Sequence, residues 1–291
     1  MSVSAGAKVQ RRTSGLSDKV RKRIEITILS LPALIMFLGF VILPVFMAGY
    51  YGFFKWKGYG KPTVNGQFIG FENYKVILTD PNFQQALGHT LFVVVASLVI
   101  QGPLAILFAL LLNQKFKGRA LIRTLIFVPY VVSEVIVGTG WSLILQTTGA
   151  LNALLKKIGL GGADWISDPK IAIWTLMFII SWKYIGFAVI LMIAGMQSIP
   201  EDLYEAAKVD GAGFWRQQWS ITLPLLGPTI RIWAFMSIIG SLQLFDLVYI
   251  IWGQYVSSTA GTSTMATYMV REGRLANNYG YGSAVAVVIF I

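Results

Sequence analysis

Apolar and polar positions do not alternate along this chain. They fall into blocks. Runs close to the ~20 apolar residues that cross a bilayer as a helix cover residues 26–54, 90–112, 121–145, 171–195 and 230–251. One more begins near Tyr281 and reaches Ile291 within a few turns. The pattern predicts an all-α polytopic membrane protein of six transmembrane helices, the last one cut short inside a helix at residue 291. The first run is too long for the apolar core of a cleaved signal peptide and no A-x-A site closes it, so it reads as a retained span.

The polar blocks assign a direction. Residues 1–25 form a basic tail with Lys8, Arg11, Arg12, Lys19, Arg21, Lys22 and Arg23, ahead of a membrane domain covering 26–291. The short connection between the second and third spans carries Lys115, Lys117, Arg119 and Arg123. Basic residues in short loops stay on the cytoplasmic side. The N-terminus and the 196–229 connection are therefore expected inside, and the 55–89, 146–170 and 252–280 connections outside.

Composition agrees and narrows the chemistry. Hydrophobic residues make up 55% of the 291 and charged residues 13%, against about 25% charged in soluble domains. A net charge of +11 beside that apolar excess points to membrane lipid rather than nucleic acid as the anionic partner. The chain has no cysteine and one histidine, His89, too few soft ligands for a metalloenzyme. No Ser-His-Asp, H-E-x-x-H or paired-carboxylate arrangement is visible, and no phosphate-binding G-x-x-x-x-G-K-[ST] loop. Catalysis, ATP hydrolysis and a resident cofactor are not expected of this chain.

The one long inside connection is 199–228, IPEDLYEAAKVDGAGFWRQQWSITLPLLGP. Pro200, Glu201 and Asp202 suit a helix start, where acids meet the positive end of the dipole. Leu203–Val209 favours helix, and Gly211 and Gly213 break it. A second short helix is expected over 214–219, running up to Pro224, with Trp215 and Trp219 one turn apart. By spacing alone this is equally an amphipathic helix lying in the interface.

Glu205-Ala206-Ala207, Asp210-Gly211-Ala212 and Ile221-Thr222-Leu223-Pro224 resemble the EAA loop of binding-protein-dependent ABC importer permeases. Residues 68–90, 125–141, 165–169 and 242–251 are also similar to the carbohydrate-uptake permeases of the maltose and glycerol-phosphate type. The chain departs from that pattern at His89, at Gln218 and at Gly253-Gln254-Tyr255. The resemblance implies a type I importer permease fold in the bacterial cytoplasmic membrane. It implies four kinds of partner besides lipid: a second homologous permease, an ATPase dimer that binds ATP and Mg, an extracytoplasmic solute-binding protein and a sugar. It also implies that Glu205, Ala206, Ala207, Asp210, Gly211, Ala212 and Pro224 couple to the ATPase, Glu205 facing it and Asp210 capping the turn.

Ionisable residues at membrane depth usually face a cavity or a partner. Glu134, Lys183 and Asp246 stand out. Tyr130 and Glu134 share a helix face, as do Ser237 and Ser241; Trp182, Tyr184 and Phe187 flank Lys183, and Gln243 precedes Asp246. Carboxylates, amides and aromatic faces are the groups that hold sugars, and the resemblance implies that these helices line the pathway. Two arrangements stay open: Glu134 and Lys183 neutralise each other between helices, or they face the cavity. A stand-alone secondary transporter or channel is the competing function, and it predicts internal repeats that the sequence does not display.

Overall fold

The computed structural model describes residues 18–114 and 116–291, without the side chains of 18 and 254–258. Most of the tail, Lys8, Arg11 and Arg12 included, Lys115, and the side chains of Gln254 and Tyr255 therefore lie outside the described residues. The chain divides into two units, 1–50 and 51–291.

In the first unit, helix α1 runs Asp18–Phe37, takes a π turn at Leu38–Ile42 and continues as Leu43–Tyr51. Residues 19–51 contain an 18-residue stretch with a mean hydropathy of 2.6, ample for a span.

The second unit opens with a two-stranded antiparallel hairpin, β1 (Phe54–Lys55) against β2 (Gln67–Phe68), with the short helix α2 (Pro62–Asn65) between them. Helix α3 (Glu72–Thr79) follows. The Asn73 amide, 8% exposed, donates to the carbonyls of Gly52 and Phe54 and ties α3 to the hairpin. Asp80 then caps the next helix by accepting from the Asn82 amide at 2.8 Å, with Pro81 at the first helical position. Burial alone would raise the Asp80 carboxyl, but hydrogen bonds from Tyr268 and Asn82 outweigh it and hold the group below the usual carboxylate range.

Helix α4 runs Pro81–Ala96, a π turn at Ser97–Gln101, then Gly102–Leu112. Helices α5 (Arg119–Val131) and α6 (Glu134–Ile144) come next, followed by α7 (Ala150–Lys157) and α8 (Ala172–Gln197). Helix α9 (Glu201–Val209) precedes α10, which runs Phe214–Gln217, a π turn at Gln218–Thr222, and Leu223–Leu242. Helix α11 (Asp246–Thr259) is kinked at Gly253; α12 (Met265–Val270) enters a π turn at Arg271–Leu275, and α13 (Tyr279–Phe290) ends the described chain.

Helix α8 is the hub, packed against α4, α5 and α10. One apolar cluster joins Val93, Val137, Leu176 and Val248 from α4, α6, α8 and α11. A second joins Ala105, Val189, Leu226 and Trp233 from α4, α8 and α10. A third holds α3, α4, α12 and α13 through Ile77, Phe83, Tyr268 and Val285.

The all-α architecture is as the hydropathy predicts, but the spans differ in detail. Among the described residues four helices are long and apolar enough to cross a membrane, five if α5 and α6 count as one. The predicted sixth, α13, has 12 residues. The third span is not straight: α5 and α6 meet at 96° across Val132-Ser133. The expected short helix 214–219 does not stop at Pro224. It continues through Pro224 and Pro228 into the fifth span, which then breaks at Gln243–Phe245. Pro224 has no N–H to return to Ser220, and the π turn just before it absorbs that lost bond.

Candidate functional site

The break between α5 and α6 is held by charge. A helix ended inside the membrane leaves carbonyls at its C-terminus and amides at its N-terminus without partners. Lys183, 3% exposed on α8, donates to the carbonyls of Val132 at 2.7 Å and Pro129 at 3.5 Å. On the far side of the break Ser133 caps α6 by accepting from the Ile136 amide. Glu134 stands in the first turn of α6, where the dipole favours an anion, and accepts the hydroxyl proton of Tyr184. Among the described residues Lys183 and Glu134 form no ion pair. Each serves one end of the same bend.

Asp246 repeats half of this design, standing in the first turn of α11 after the Gln243–Phe245 break. Helix α11 packs along α6, so two acid-started half-helices lie side by side. Gln243 and Asp246 are exposed. Trp182 is also exposed and meets Trp141 edge-on, with ring centroids 5.5 Å apart.

Between α4, α5, α8 and α10 lies a cavity of about 210 Å³. The structure brings Tyr130, Tyr184, Phe187, Ser237 and Ser241 together around it. Tyr130 stacks on Phe187 at 5.0 Å and 21°. Glu134, Trp182, Lys183, Gln243 and Asp246 do not line it. Besides aliphatic residues and a glycine, three polar or aromatic lining residues escape sequence reasoning: Ser97, Gln101 and Trp233. The first two belong to the π turn of α4, and such turns recur at functional sites without a sequence signature of their own. Trp233 gains its place because Gly102 has no side chain: a Cβ there would stand 2.7 Å from the indole ring.

A second, polar groove of about 690 Å³ opens where α4 meets the 113–119 connection and the α9 loop. Arg119 and Gln114 line one side; Glu201, Glu205 and Lys208 line the other. The loop itself is tightly built. Asp210 is the C-cap of α9, its backbone amide bonded to the Ala206 carbonyl at 3.0 Å. Gly211 follows at φ +75°. The Gly211 amide returns to Lys208 at 3.0 Å and the Ala212 amide to Ala207 at 2.8 Å, the paired bonds of a Schellman turn. Tyr204 and Thr222 share a hydroxyl hydrogen bond of 2.9 Å, and Thr222 donates to the side-chain amide oxygen of Gln218 at 2.8 Å. Helix α9 is thereby fastened to the π turn of α10. Its outer face presents Glu205, Ala206 and Asp210, with Val209 89% exposed, while Ala207 and Ala212 are half-buried and Pro224 is exposed. Among the described residues no three His, Asp or Glu side chains gather as a metal site.

Broken apolar helices around an internal cavity, with a rigid polar loop at one end of the bundle, define a membrane-transport subunit. The chain belongs to the family of binding-protein-dependent transport system inner membrane components, whose model matches residues 101–291. It is therefore the permease kind of subunit, which carries no catalysis of its own. It is 31% identical over 265 residues to the trehalose/maltose transport system permease protein of Thermococcus litoralis, covering 90% of this chain and 87% of that one. It is 31% identical over 227 residues to the arabinooligosaccharides transport system permease protein of Bacillus subtilis, covering 77% and 72%. Among solved structures it is similar to a chain of a bacterial alginate ABC transporter crystallised with an alginate pentasaccharide-bound periplasmic protein. There the TM-score is 0.80 at 26% identity, covering 93% of this chain and 90% of that one.

Proposed function

We propose that this chain is one permease of an ATP-driven oligosaccharide importer in the bacterial cytoplasmic membrane, with its N-terminus inside. It pairs with a second, similar permease and forms half of the pathway. Beneath it sits an ATPase dimer that binds ATP and Mg, and outside it an extracytoplasmic binding protein delivers the sugar. The relatives' named substrates, trehalose/maltose and arabinooligosaccharides, support the sugar class. The aromatic and hydroxyl lining of the 210 Å³ cavity is the chemistry that class requires.

One observation carries the reading. The 113–119 and 199–222 segments, both assigned to the inside by their place in the chain, meet in a single groove with Glu205 at its rim. Glu205, Ala206 and Val209 are exposed on a helix whose other face is bonded down, as a docking surface for a separate ATPase needs. Ala207, Asp210, Gly211, Ala212 and Pro224 keep that surface in place. The experiment is Glu205→Lys in the assembled complex. It should abolish sugar-stimulated ATPase activity while insertion and complex assembly in the membrane persist. Retained stimulation would refute the coupling role.

A further inference from the structure

The connection between α6 and α8 carries a surface that neither the cavity nor the groove uses. It lies at the start of α8, the end away from Met196 and Gln197 of the groove. Asn152 on α7 is 2% exposed and holds the connection in place. Its side-chain oxygen accepts from the Trp165 indole at 2.9 Å and the Ala163 amide at 3.0 Å, and its own amide donates to the Ala163 carbonyl at 2.8 Å. Leu151 and Trp165 pack against the apolar cluster that contains Leu145, Ala172 and Trp252. Helix α7 is thereby anchored where α6 ends and α8 begins. What the anchored segment leaves open is apolar and basic. Leu154, Ile158 and Leu160 are 57%, 63% and 56% exposed, and Lys156 and Lys157 are exposed among them.

We infer that α7 is an interfacial helix that seats on anionic phospholipid. Leu154, Ile158 and Leu160 enter the acyl boundary, and Lys156 and Lys157 meet headgroup phosphates. Depth, charge and composition select lipid over a soluble partner. Only residues 145–149 separate α7 from the end of α6, whose Leu143 and Ile144 are exposed, so apolar surface runs up to the connection. Trp165 packs at this level and Trp174, 55% exposed, stands near the start of α8; tryptophans gather at headgroup depth. Residues 146–163 contain two lysines and no acid. Among the described residues those lysines form no ion pair. The acids that follow, Asp164 and Asp168, accept from the backbone amides of Ser167 and Lys170. Exposed aliphatic side chains beside lysines are the make-up of a helix lying in the interface, whereas protein–protein interfaces are depleted in lysine. Lysine stems lie along apolar surface and carry their ammonium groups to the phosphates.

The test uses the assembled complex in lipid nanodiscs. The chain has no cysteine, so Leu154→Cys, with Ile158→Cys as a second site, takes one environment-sensitive fluorophore, and the unsubstituted complex gives the background. The quenchers are iodide in the water, and phosphatidylglycerol or phosphatidylcholine carrying a spin label high on the acyl chain. Both sites should be quenched by lipid and little by iodide. The anionic lipid should associate more strongly than the zwitterionic one by about fivefold for each lysine. Lys156→Gln together with Lys157→Gln should abolish that preference while quenching by lipid persists. Lysines that served only the negative end of the helix dipole would leave the two lipids equal from the start. Strong quenching by iodide at both sites overturns the inference, because the face then meets water. Protection from every quencher overturns it too, because protein then covers the face. Equal quenching by the two lipids, or a preference that survives loss of both lysines, removes the headgroup contact and the inference with it. The readout needs neither ATP nor sugar, so its failure leaves the import reading standing, and failure of import leaves this inference standing.

Discussion

Lys183 shows how a residue's meaning depends on what its neighbours lack. In the sequence it is a charge inside an apolar run, and a charge there reads as a ligand for substrate or for Glu134. Among the described residues it forms no ion pair with Glu134 and does not line the cavity. Its ammonium caps the carbonyl end of α5, from Pro129 and Val132, and Glu134 takes the hydroxyl of Tyr184 at the start of α6. A lysine is suited to this task by its long stem and freely rotating donors. Lys183→Met keeps much of the apolar volume and leaves the Val132 carbonyl unpaired in a dry site. It should lower stability by about 1–3 kcal/mol, read as a lower midpoint of unfolding in detergent. An unchanged midpoint would show that the carbonyls find another donor.

Elements were legible where one physical signal dominates. Apolar length placed every long helix, and acids followed by glycines placed α9 and its turn. The helix ends inside the membrane were not legible. The 96° bend at Val132-Ser133 and the break at Gln243–Phe245 depend on partners from other helices, which one-dimensional periodicity cannot contain. The π turns at Ser97–Gln101 and Gln218–Thr222 hid for the same reason, and with them Gln101 and the fastening of Thr222 to Tyr204. The Schellman turn gives a test at this scale. Gly211 stands at φ +75°, where an L side chain costs about 1–2 kcal/mol. Gly211→Ala should loosen the end of α9 and weaken sugar-stimulated ATPase activity, while Gly213→Ala, with Gly213 in extended backbone, should be milder. Equal effects of the two would mean that the left-handed turn does not set the loop.

The whole molecule combines a cavity with no charged lining residue among those described, an acid-started pair of half-helices and a tightly bonded loop whose outer face is exposed. Family membership states what kind of subunit this is; the proposed function has force enter at the groove and sugar pass through the cavity. A carrier driven by an ion gradient would need none of the exposed face of α9. The most direct measurement is uptake of a labelled neutral oligosaccharide into vesicles holding this chain, its permease partner, the ATPase and the binding protein. Uptake should require ATP and stop when either this chain or the ATPase is left out. Uptake by this chain alone, driven by an ion gradient and indifferent to ATP, would contradict the proposed function.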